Sequence, residues 1–331
     1  MPCTYKHNPS ETGRKQFIDI AKGIGIFIVI ASHVYSPIIR WALPCYVPLF
    51  FVTSGYCTCH PIHIKKKFRN LIIPYVFFTC ILFCLHRMLT IEDIAGAVYS
   101  RWCLYPIGTS DNVFFLQAYN GPLWFLTSMF SSSVLLGAIL KSVHKWLFVL
   151  LYILIAYACT SLPILLPWSI DTAPLTAVIM MSGIFIRRND ILSKLHRPLL
   201  LFALMAVYAA LCNYCDDVNF SVRKYGTSIW IALPAAITGS ILIMKASQFL
   251  ESTPLAASLS KIGRMSLSLF CLHFPFIYFW RKVLNYIDSI SQFPELFHIL
   301  TFVLVFVTVY PISLILQPLL PKFIHLHEPQ P

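Results

Sequence analysis

Ten stretches of this chain are apolar over roughly 17 to 25 residues, the length an α-helix needs to cross a hydrocarbon layer about 30 Å thick. They fall at about 17–36, 43–59, 71–89, 121–140, 146–166, 168–186, 198–214, 228–245, 266–281 and 296–318. Only 11% of the 331 residues are charged and the mean hydropathy is +0.73. A soluble domain carries about 25% charged residues. The expectation is an all-α polytopic membrane bundle of about ten transmembrane helices, forming one integral domain over 1–331. Met1–Gly13 is polar and no small-residue cleavage site follows the first apolar run, so that run is expected to stay as a span.

Charge gives orientation. The formal net charge of +12 is read as topology and headgroup contact, with no nucleic-acid partner expected. Lys15, Lys22, Lys65, Lys66, Lys67, Arg69, Arg187, Arg188, Lys245 and Lys261 all fall on one side if the spans alternate. The positive-inside rule makes that side cytoplasmic and predicts both termini there. Arg40, Arg87, Arg101, Arg223, Lys224, Arg281 and Lys282 stay outside this pattern and are candidates for a ligand. The two longest connections are Thr90–Asn120 outside and Lys245–Arg264 inside, both read as loops.

The eleven cysteines mostly sit within apolar runs, where cysteine acts as a small hydrophobe. Cys57, Cys59 and His60 offer three potential ligands where a zinc site needs about four, so no metal is expected. Cys212 and Cys215 would pair only in an oxidising compartment and through a short, strained closure.

The first span carries the most chemistry. Asp19, Lys22 and His33 interrupt an otherwise apolar run, DIAKGIGIFIVIASH. Eleven residues separate Lys22 from His33, which returns them to within about 20° of one helical face and about 16 Å apart along the axis. Asp19 and Lys22 are three apart and can meet at the inner surface. A polar stripe inside a membrane usually faces a bundle interior or a wet cavity. Against this stands a plain packing role: a snorkelling lysine, a neutralising carboxylate and a histidine tying helices together.

FIDIAKGIGIFIVIASH resembles the opening helix of the membrane-bound acyltransferase 3 family, most closely its fucose 4-O-acetylase-like subgroup. VPLFFVTSGY (47–56), KKKFRNLIIPY (65–75), GPLWFL (121–126) and SLSLFCLHFPF (266–276) resemble further family segments, in order. The resemblance implies transfer of an acyl group, commonly acetyl from acetyl-CoA, onto an extracytoplasmic sugar hydroxyl, by a multi-pass protein of the plasma or bacterial inner membrane. The family's basic residue, ten-residue spacer and essential histidine fall on Lys22 and His33. Lysine replaces the commoner arginine and gives a charge without a fork.

The candidate catalytic residues are thus His33, as general base, and Asp19. Lys22, Lys67 and Arg69 are candidates for the donor's phosphates. Ser54, Trp124 and His273 are candidates for the substrate; each has a structural alternative, as a helix contact, a belt residue and a packing histidine. Expected partners are a carbohydrate acceptor and membrane lipid, with a homo-oligomer possible. The alternative class is a secondary transporter or flippase. Such proteins place carboxylates deep in the membrane, whereas nearly all of the 13 Asp and Glu here lie in loops or at span ends, Asp171 being the other candidate near a span. The same shortage of paired carboxylates disfavours glycoside hydrolysis.

Overall fold

The computed structural model describes residues 15–34, 42, 44–58, 61–85, 90–108, 111–115, 121–287 and 292–320. Each predicted apolar run contains a helix. In chain order these are α1 (Gln16–Val34), α2 (Pro48–Tyr56), α3 (Ile64–Leu85), α5 (Trp124–Lys141), α6 (Lys145–Cys159), α7 (Ala173–Arg188), α9 (Pro198–Tyr214), α10 (Ile229–Leu250), α12 (Ser266–Asn285) and α13 (Pro294–Leu316). Six of the described helices are long and apolar enough to cross a membrane, or up to seven if one bent pair forms a span. The second predicted span is helical only over the nine residues Pro48–Tyr56. Nine residues rise about 13 Å, less than half a bilayer.

Both long connections contain helices that periodicity at span scale missed. α4 (Ile91–Tyr99) starts with a reciprocal cap: the Thr90 hydroxyl accepts from the Asp93 N–H and the Asp93 carboxylate accepts from the Thr90 N–H. Ile91, Ile94 and Val98 form an exposed apolar stripe on it. α11 (Leu255–Arg264) meets α12 at a bend of 75°. A short α8 (Ile191–Lys194), three 3-10 turns (Gly121–Leu123, Pro167–Ser169 and Phe220–Val222) and a two-residue antiparallel pair, Val218–Asn219 with Lys224–Tyr225, are also present among the described residues. Between α6 and α7 the chain runs through turns that contain Pro163 and Pro167.

Apolar side chains face outward as well as inward. Trp146, Leu147 and Leu150 on α6, Leu199 and Phe202 on α9, and Ile299, Val303 and Val307 on α13 are all exposed. Exposed apolar belts of this extent belong in lipid. The interior is built by close helix approach at glycine. A Cβ on Gly55 would lie 1.8 Å from the Met180 carbonyl oxygen, and one on Gly183 would lie 2.1 Å from that of Val52, so α2 and α7 touch backbone to backbone. α1 and α11 meet in the same way, through Gly23 against Leu259 and Gly263 against Asp19. Small residues at such crossings let helices approach where no hydrophobic force separates protein from solvent.

On the face opposite the start of α1, three loops are pinned by one buried charge cluster. The Arg101 guanidinium bonds the Asp171 carboxylate, and Arg223 Nε lies 3.1 Å from the other Asp171 oxygen. Arg101 also donates to the carbonyls of Leu166 and Ser221, and Arg223 to those of Cys159, Leu162 and Ile164. Burial lowers the Arg101 pKa, with Asp171 opposing the shift. The candidate ligand role of the outer basic residues is therefore corrected for several of them. Arg101 and Arg223 hold loops together, Lys224 pairs with Asp217, and Arg281 donates to the Val34 carbonyl at the end of α1. Arg101 and Arg223 bond to protein because the loops bury carbonyls that water does not reach. Arg40 and Arg87 lie outside the described residues.

Candidate active site

α1 connects two features. Its start is held by the Glu251 carboxylate, which accepts from the Phe17 N–H at 2.8 Å. Lys15 sits 5.5 Å over the ring of Tyr56, at the end of α2. Arg187 at the end of α7 donates to the Thr58 carbonyl at 2.7 Å. Lys15, just before α1, and Arg187, at the end of α7, thus lie beside the end of α2. Beside them opens a cavity of about 520 Å³, within the range of roughly 300–1,000 Å³ typical of small-molecule sites. Lys22, Lys66, Lys67 and His63 supply its polar wall, and Ser54, Asn70 and Ser266 add hydroxyl and amide groups.

Three residues singled out in the sequence, Lys22, Lys67 and Ser54, therefore converge on one space. The stretch 65–70, ahead of the apolar run at 71–89, is the first part of α3, and this explains which of its residues take part. Lys66, Lys67 and Asn70 share a helical face turned to the cavity, while Arg69 does not line it. Lys66 and His63 were not singled out from sequence; His63 stands four residues before Lys67, just ahead of α3, whereas the adjacent Lys66 carried no spacing signal.

The other feature lies at the far end of α1. The His33 ring stacks on that of His273 with centroids 5.2 Å apart, meets Phe274 edge-on at 4.6 Å and faces the edge of Tyr46 at 6.5 Å. His33 is half-buried and His273 is fully buried. His273 Nδ1 lies 2.8 Å from the Phe270 carbonyl oxygen. A carbonyl only accepts, so Nδ1 carries the proton and Nε2 presents a lone pair. That Nε2 has no hydrogen-bond partner among the described residues. Arg281 fixes the end of α1 here, capping carbonyls that a helix leaves unpaired.

The remaining candidates lie elsewhere. Asp19 is buried at the α1–α11 crossing, about 21 Å along the helix from His33. Trp124 is buried at the start of α5, and its neighbour Phe125 lines the cavity. Cys59 and His60 lie outside the described residues, and no group of three potential metal ligands occurs among those described. Cys212 and Cys215 are not joined in a disulfide, and burial pushes Cys215 up to about 11.

A cationic cavity beside the start of α1 and a stacked imidazole pair, His33 of α1 with His273 of α12, at its far end lie within an apolar bundle of the kind a multi-pass membrane protein has. The model of the acyltransferase 3 family, described as an acyltransferase domain, matches residues 15–317, and the chain belongs to that family. No curated protein and no solved structure matches it significantly.

Proposed function

We propose that this protein is an integral membrane O-acyltransferase that moves acetyl from acetyl-CoA to a sugar hydroxyl of an exported or cell-surface glycan. The observation that carries the proposal is that α1 contributes Lys22 to the lysine-lined cavity and, farther along, His33 to the histidine pair. The thioester of coenzyme A sits at the end of a long, thin arm, with its phosphates at the other end. Lys22, Lys66 and Lys67 would hold the phosphates as point charges, with His63 and Asn70 donating beside them. Asp19 would act only from a distance, through the electrostatics of the α1 foot. Ser54 would line the path of the arm. The fucose 4-O-acetylase-like resemblance favours a sugar as acceptor, and the basic face would be cytoplasmic in a plasma or bacterial inner membrane.

His33 would be the general base. The acceptor O–H proton passes to its imidazole as the oxygen attacks the thioester carbonyl carbon. A C–O bond forms, the C–S bond breaks, and the leaving thiolate recovers the proton from the imidazolium. His273 Nε2, with its lone pair free, would accept a hydrogen bond from an acceptor hydroxyl and orient it. General-base assistance contributes about 10²–10⁴ in rate.

Transport is the weaker reading. Asp171, the carboxylate that would have served a coupled ion, is held by two arginines in a loop cluster. Membranes containing the protein should transfer labelled acetyl from coenzyme A to glycan, and surface glycans from cells lacking it should lose that acyl mass. Sugar uptake without transfer would replace the enzyme with a transporter.

A further inference from the structure

The cavity does not reach the histidines: neither His33 nor His273 lines it. Three phenylalanines stand between. Phe50 of α2, Phe125 of α5 and Phe270 of α12 all line the cavity. Their rings pack on one another, at 5.8 Å for Phe50 with Phe125, 6.0 Å for Phe50 with Phe270 and 4.8 Å for Phe125 with Phe270. All three are nearly inaccessible.

Two independent contacts fix this cluster between the basic foot and the imidazoles. A Cβ on Gly25 would come within 3.2 Å of the Phe50 ring, so Phe50 rests on α1 one turn beyond Lys22. Gly25 precedes His33 by eight residues, about 12 Å of helix. On the other side, the Phe270 ring lies 6.0 Å from that of His273, and the Phe270 carbonyl holds the His273 Nδ1 proton. Beyond the rings, His273 Nε2 is buried with no hydrogen-bond partner among the described residues.

We propose that Phe50, Phe125 and Phe270 form the aromatic boundary through which the acyl end of the donor must pass to meet the histidines, and that this boundary sets the largest acyl group transferred. The inference rests on the acyltransferase reading. A flat ring cluster contributed by three helices parts enough for a short, thin acyl chain by rotation of side chains alone, and a longer chain needs the helices themselves to separate. Closed, the same rings keep water from the thioester. Water attack there would form a carbon–oxygen bond, break the carbon–sulfur bond and release a carboxylic acid and coenzyme A thiol without product.

The test uses the purified full chain in lipid nanodiscs. Binding of coenzyme A is measured first, followed by transfer from acetyl-, butyryl- and hexanoyl-CoA by the native protein, Phe270→Ala and Phe125→Leu. The expected native preference is acetyl over hexanoyl by at least about 10-fold in kcat/KM, the effect of about 1.4 kcal/mol. Either substitution should shrink that preference several-fold and raise acceptor-independent donor hydrolysis. Phe125→Leu keeps an apolar side chain and serves if Phe270→Ala fails to fold. Native binding and acetyl transfer with an unchanged preference in a folded variant would overturn the boundary alone. Absence of coenzyme A binding by the native protein would overturn it together with the acyltransferase reading.

Discussion

His33 and His273 lie ring over ring, with centroids 5.2 Å apart and planes 27° from parallel. The two residues come from the first and a late helix and are joined only by packing. Their surroundings differ: His33 is half-buried, whereas His273 is fully buried with its Nδ1 proton committed to a backbone carbonyl. This asymmetry separates the two roles.

Replacing His33 with Ala is expected to lower kcat by about 10² or more, the loss of a general base, with little change in insertion. His273→Ala is expected to raise KM for the acceptor more than it lowers kcat, because the lost contact orients a hydroxyl. Steady-state kinetics with acetyl-CoA and glycan acceptor in membranes distinguishes the two. Full activity of His33→Ala would remove the base assignment.

Lys22→Ala and Lys67→Ala are expected to raise the donor KM about tenfold or more each and leave the acceptor KM nearly unchanged. A hydrogen bond to a charged group contributes about 1.5–3 kcal/mol, and each 1.4 kcal/mol is about tenfold. Arg69→Ala should have a smaller effect than Lys66→Ala, because Lys66 lines the cavity and Arg69 does not. Donor titrations across the four variants give the order directly.

Asp171→Asn should destabilise the protein by about 3–5 kcal/mol, since it leaves two buried guanidinium groups without their counter-charge. The expected readout is a lower thermal midpoint of the purified protein in detergent. An unchanged midpoint would mean that the three loops do not depend on this cluster.

Gly55→Val should reduce the folded yield severely, because its side chain would enter the backbone of Met180. Gly137→Ala is the control. No atom lies within 4 Å of a Cβ built there, and alanine in a helix is favoured over glycine by about 1 kcal/mol. Fluorescence-detected gel filtration of the two variants reads both outcomes.

The fate of the polar residues follows from what periodicity reports. An apolar run announces a helix in lipid, so the helices and the Lys22–His33 stripe were legible in the sequence. Helix length was less so: the run at 43–59 yields only Pro48–Tyr56, because Pro44–Val47 form a turn. α11 went unread because its polar face resembles a loop when judged by the hydropathy of spans. The basic stretch at 65–70 showed its charge but not its helical phase, and phase separates Lys67 from Arg69.

By itself the sequence determined that the chain lives in a membrane, that its first helix carries a charged foot and an imidazole, and which family segments follow in order. Each of these is local: a run length, a spacing or a motif. The tertiary structure alone decided that His273 meets His33, that Lys66 joins Lys22, that Phe50, Phe125 and Phe270 close one cavity, and that Asp171 is held by two arginines. Those contacts join residues far apart in the chain, and only the packing of the helices and loops brings them together; side-chain pattern within one helix carries no record of which neighbour it will meet.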